Sequence, residues 1–197
     1  MKISYKLKLL FAFVVIIAGG FLLSRLAHTS NDIPSEFTEA RMQGALIAQN
    51  IVDLTNQMSK DLEQVNSYDS EKKYTEALEL TTDLLIRSQR VREQAVGLSD
   101  ELRKMTSALS SIESQDARSA ALESIASRLA LMSRLINYSD YLAQLLTALQ
   151  TKFSGAYTGD NQVASLIYQI NAEVLAINNS NRQAMTAMER FDAIINN

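Results

Sequence analysis

Hydroxyl and amide side chains at helical spacing come closest to chemistry in this sequence. Thr81, Ser88, Ser139 and Asn181 each fall where an apolar heptad series calls for a buried residue. Polar groups in a mostly apolar cleft can orient a small ligand, so the four make a candidate core polar pocket. Their competing role is structural: a buried hydroxyl bonds to a carbonyl one turn back, and a buried Asn fixes helix register. The structural role is the commoner of the two. A second group is aromatic. Tyr68, Tyr74, Phe153 and Tyr157 flank two expected turns and should meet at one end of a helical bundle. There they would form a partner-binding tip, or a plug closing the core.

Harder chemistry lacks its reagents. The 197 residues contain no Cys and a single His, His28, which leaves no thiolate, no disulfide, no Cys-ligated zinc and no multi-His metal site. A carboxylate-bridged dimetal centre needs inward Glu residues and Glu-x-x-His pairs. The expected core positions carry essentially no carboxylate; Asp61 comes nearest, and Leu62 beside it is the better inward residue. No catalytic, metal-binding or cofactor-binding residue is therefore expected, and the chain reads as a non-enzyme. "INNSN" (residues 177–181) is weak helix-forming sequence within an expected helix, with three residues facing water.

The elements that must position these residues are helices. Hydrophobic content of 47% with one Pro and six Gly suits an all-α chain. From Pro34, which suits a first helical turn with Asp32 as its cap, apolar residues recur at alternating spacings of three and four: Phe37, Ala40, Gly44, Ile47, Ile51, Leu54, Met58 and Val65. Continued further, that series would bury Lys72 and Glu79, so the phase breaks at "NSYDS" (residues 66–70), a turn and cap sequence. A second series runs from Tyr74 through Leu84, Val91, Leu98 and Met105 to Ile112. Extended past Ile112 it would bury Asp116 and Glu123, which places a turn near residues 113–117 with Ser114 as the cap. A third series covers Ala121, Ile125, Met132, Leu135, Leu142, Leu146, Leu149 and Phe153. After the loop "SGAYTGDN" a fourth runs from Val163 through Ile170, Ile177, Ala184 and Phe191 to Ile195. The spacing predicts helices over about residues 35–66, 70–112, 117–153 and 160–195, packed as an antiparallel up-down-up-down four-helix bundle.

Ahead of the bundle lies a different kind of segment. Leu9 to Leu23 is an unbroken apolar run, and between Lys8 and His28 only Ser24 and Arg25 are polar. As a helix the stretch from Leu9 to Ala27 would reach about 28 Å, close to the thickness of a bilayer core. The best signal-peptidase site, Ala18-Gly19-Gly20, would cut inside the apolar run, so an uncleaved anchor is the preferred reading over a secreted chain. Lys2, Lys6 and Lys8 should hold the N-terminus in the cytoplasm. This gives residues 1–27 as cytoplasmic tip plus transmembrane helix, 28–34 as a connector, and 35–197 as an extracytoplasmic bundle.

Lys2, Lys6, Lys8 and Arg25 precede His28, which leaves 15 basic against 22 acidic residues after it, a net charge of −7. Without a basic face to displace counterions from phosphates, nucleic-acid binding is not expected. The partners expected are the lipid bilayer through residues 9–27, an unidentified protein, and a second copy through the small residues Gly20 and Ser24. In outline, an N-terminal transmembrane helix followed by a four-helix bundle resembles the periplasmic sensor region of bacterial chemoreceptors and histidine kinases. The resemblance is architectural and rests on no motif. It implies a ligand-binding sensor that signals through a partner protein, as the alternative to a structural or interaction module.

Overall fold

The structure, a computed structural model, describes residues 33–156 and 160–196. They form four long helices, α1 (Ser35–Ser70), α2 (Tyr74–Ala108), α3 (Gln115–Phe153) and α4 (Asp160–Ile195), with a 3-10 turn over Leu109–Ser111 and no strand among the described residues. The expected membrane helix, with Gly20, Ser24 and His28, lies outside the described residues. Among the described ones no helix is long and apolar enough to cross a membrane.

Neighbours in sequence are neighbours in space, because short connections fold each helix back along the last. The cross-helix bonds fix the antiparallel sense. Arg92 and Thr82 of α2 meet Asp140 and Gln150 of α3, while Arg134 and Ser124 of α3 meet Glu173 and Ala184 of α4. Between α1 and α2, Arg87 pairs with Asp61. Gly44 lets these two helices approach closely, since a Cβ there would stand 3.3 Å from Leu98 Cδ1. The first and fourth helices meet at the base of the bundle, where the Phe37 and Phe191 rings lie 5.2 Å apart and Arg41 donates to both oxygens of Asp192 at 2.6 and 2.8 Å.

Two apolar clusters fill the interior. One, toward the tip, includes Met58, Leu84, Leu142, Leu146 and Ile170; the other, at the base, includes Phe37, Leu102, Met105, Ile125 and Phe191. Most heptad positions read from the sequence are buried, as the period of a packed helix requires; Ile47, Leu54, Val163 and Ile195 are half-buried and Tyr74 is exposed.

The helix ends differ from expectation in three places. First, α1 runs through "NSYDS" to Ser70 instead of stopping near residue 66, and α2 accordingly opens at Tyr74 instead of residue 70. Polar side chains there serve the helix: Ser70 Oγ donates to the Asn66 carbonyl at 2.9 Å and Ser67 Oγ to Glu71 at 2.9 Å. The stop comes at Lys72, whose φ of 59° is left-handed. Lys73 N–H then reaches the Tyr68 carbonyl at 2.9 Å and Lys72 N–H that of Asp69 at 3.2 Å, the paired bonds of a Schellman motif. Second, Pro34 sits one position before the helix, as its N-cap. Its extended ψ of 136° keeps the ring outside while its carbonyl accepts from the Phe37 and Thr38 N–H groups. Third, α2 ends at Ala108, and the tighter turn after it aims Leu109 and Ile112 into the base core. The cap expected of Ser114 is present: its hydroxyl accepts from Ala117 N–H at 3.2 Å.

Candidate functional site

At the tip, the end of α1 and start of α2 stand beside the end of α3. Lys152 Nζ lies 2.6 Å from Asp69, tying α3 to α1. The Tyr74 ring stacks on Phe153 with centroids 6.1 Å apart and planes at 22°. Lys152 Nζ also lies 5.6 Å from the Phe153 centroid, within reach of its π face. Phe153 is buried and Tyr68 half-buried against the upper cluster, whereas Tyr74 remains 43% exposed. Tyr157 lies outside the described residues. The tip therefore combines a plug, Phe153, with one ring face, Tyr74, open to solvent.

The core polar residues occupy different levels. Ser88 and Ser139 come together: Ser88 Oγ donates to the Ser139 carbonyl at 3.1 Å across the α2–α3 interface. Ser139 Oγ is buried without a hydrogen-bond partner among the described residues. Thr81 stands about 10 Å nearer the tip at ~1.5 Å per residue, its hydroxyl donating to the Leu78 carbonyl at 2.9 Å. Asn181 stands about 16 Å toward the base, counting along α4 from the level of Ser139 at ~1.5 Å per residue, where Nδ2 lies 3.8 Å from Met185 Sδ. The four do not line one pocket. In "INNSN", Ile177 and Asn181 are buried, Asn178 and Ser180 half-buried, and Asn179 exposed. Asn178 Oδ1 is buried and without a partner among the described residues.

Three charged groups are buried, two of them carboxylates, of which the sequence reading expected essentially none in the core. Arg128 occupies the heptad position between Ile125 and Met132 and is 8% exposed. Its Nε lies 3.4 Å from Ser124 Oγ, which itself donates to the Ala184 carbonyl at 2.9 Å. Burial pushes the guanidinium down from its ordinary range to about 10; the Arg41 cation adds to the shift and the Asp192 carboxylate opposes it. Glu173 is buried between α3 and α4, with Asn137 Nδ2 at 3.2 Å and Arg134 Nη1 at 3.4 Å. Glu101, buried beside Gly44, takes a 2.8 Å bond from Lys104 on one oxygen and leaves the other without a partner among the described residues. The seven-residue gap between Ile125 and Met132 is the signal that could have revealed Arg128. Nothing comparable marked Glu101 or Glu173, which lie at the edges of their helices' apolar stripes.

Glu173 faces the Arg134 cation and Glu101 the Lys104 cation, each from outside this group of three. No cluster of three or more metal-ligating side chains occurs among the described residues. A shallow space of about 360 Å³ between α1 and α2 is lined by Asn50, Asp53, Gln57, Arg90 and Glu93. Two of these are engaged along their own helices, Asp53 by Gln49 and Glu93 by Gln89.

The fold and its polar core define an all-helical protein of the four-helix-bundle type. Comparison with protein-family models, curated proteins and solved structures finds no match to the chain.

Proposed function

We propose that this chain is a membrane-anchored, extracytoplasmic helical-bundle protein that acts as a non-enzymatic structural or interaction module. The observation that carries this reading is the position of the chain's entry into the bundle. Ser35 opens α1 at the base, while Tyr68, Tyr74 and Phe153 gather at the opposite end. A helix of 39 residues such as α3 spans about 58 Å. An apolar segment at residues 9–23 would thus hold the base at a bilayer and present the aromatic tip far from it. A buried interior whose polar groups are largely bonded internally suits a stiff spacer better than a catalyst.

Two measurements test the two halves of this reading. Intact mass of the protein extracted from membranes should match the full chain; loss of the first 20 residues would make it a secreted bundle. Affinity capture with the native chain should recover partners that are lost when Tyr68, Tyr74 and Tyr157 are replaced by Ala. An unchanged set of partners would remove the tip as a docking surface.

The sensor reading has one observation in its favour, the unpartnered Ser139 hydroxyl and Glu101 carboxylate oxygen inside the bundle. A metabolite that raised the melting midpoint would support it, and a flat screen would count against it.

A further inference from the structure

The solvent side of α4 is unlike that of a helix that merely faces water. From Asn161 to Asn181 its only charged residue is Glu173, and that one is buried against α3. For more than five turns the outward face carries no charge. On it stand the two most exposed large apolar side chains of the described residues, Tyr168 at 76% and Leu175 at 66%. They are seven residues apart and begin a second heptad series, opposite the one that fills the core. Tyr168, Leu175, Arg182 and Glu189 follow at intervals of seven, and small or short exposed residues, Ser165, Ala172, Asn179 and Thr186, alternate with them. Alternation of large and small residues along one helix face lets a second helix approach and interdigitate.

The charges on this series select both the occupant and its direction. We infer that the outer face of α4 is a docking surface for a second copy of this chain, with the two α4 helices antiparallel about a twofold axis at Leu175. In that register Leu175 meets its own counterpart and Tyr168 faces Arg182, placing a guanidinium over an aromatic ring. Asn161, in the first turn of α4, faces Glu189, so a carboxylate lies at the positive end of the opposing helix. Ala172 lies beside Asn179, and no like charges meet. A parallel pair would instead set Arg182 against Arg182 and Glu189 against Glu189. A twofold interface must be self-complementary, and only the antiparallel register makes it so. The seam from Asn161 to Glu189 is about 42 Å long at ~1.5 Å per residue.

The paired face belongs to the bundle alone and does not depend on the anchor proposed above. If both hold, the two bases point in opposite directions and the pair joins two bilayer surfaces that face each other.

The absence of native cysteine gives a clean test by disulfide cross-linking of the full chain in detergent solution. Leu175→Cys should cross-link to itself. Tyr168→Cys should cross-link to Arg182→Cys when the two proteins are mixed, and should give no product alone. Self-cross-linking of Tyr168→Cys as strong as that of Leu175→Cys would reveal a parallel pair, such as the anchor helices could form, and would overturn the proposal. So would the absence of product in all three samples. All three positions are exposed, so these variants should keep the parent's circular dichroism. In sedimentation, Leu175→Glu should weaken association at least tenfold while leaving the melting midpoint of the bundle unchanged; an unchanged mass distribution would also overturn the proposal.

Discussion

Two serines and an arginine show how much burial and bonding matter for a single residue. Ser88 and Ser139 sit on the same level, yet only Ser88 uses its hydroxyl. Ser88→Ala should therefore cost about 1 kcal/mol in denaturant unfolding. Ser139→Ala should be neutral or stabilising, because it removes a buried hydroxyl that has no partner among the described residues. Equal losses at both sites would mean that the Ser139 hydroxyl is engaged in solution. Arg128 carries a desolvation cost that its contacts only partly offset, so Arg128→Met should raise stability by roughly 1–4 kcal/mol. A clear loss would mean that the polar contacts outweigh the desolvation. Alkaline pH offers a second measure. The folded pKa of Arg128, about 10, lies well below the ordinary guanidinium range, so this residue makes stability rise with pH above about 10. Burial pushes the Tyr138 phenol up from 10.0 to about 12, so Tyr138 keeps its full contribution below pH 10 and loses it as pH rises through 12. The two effects oppose each other. Stability measured from pH 10 to 12 should decline more steeply in Arg128→Met and less steeply in Tyr138→Phe. Ser88, Ser139, Thr81 and Asn181 could be recognised as interior from spacing alone. Which of them touch could not, because the relative level of two helices depends on turn lengths.

Turns decide the limits of the helices. The first helix overran the turn sequence because Ser67 and Ser70, common turn residues, bond to positions four apart along a helix just as readily. The chain then reverses at Lys72, a residue with a Cβ in a backbone region that favours glycine. Lys72→Gly should therefore stabilise the protein by about 1 kcal/mol, seen as a higher melting midpoint. A lower midpoint would show that the lysine side chain contributes more than the strain costs. Ser114 was legible as a cap because Ser before an amphipathic series has one dominant use, accepting from the first unpaired N–H groups.

Across the whole molecule, closure rests on the contact between first and last helices. At the base that seam is held by Phe37 against Phe191 and by Arg41 on Asp192. Phe191→Ala should cost about 3–5 kcal/mol through the cavity it leaves. A double-mutant cycle on Arg41 and Asp192 should give a coupling of about 1 kcal/mol, since both side chains are more than a quarter exposed. A coupling near zero would leave the aromatic pair as the sole clasp. The sequence by itself determined the helical class, the number of helices, their approximate limits and most of the core, because all of these follow from the 3.6-residue period and its breaks in phase. It also set the contrast between an apolar, lysine-flanked N-terminal segment and an acidic remainder. Only the tertiary structure decided which polar residues share a level, that Arg128, Glu101 and Glu173 are buried, and that one face of α4 stays uncovered. The physical reason is that a periodic pattern shows which side of a helix turns inward. How far each helix slides and tilts against its neighbours is set by packing between residues far apart in sequence.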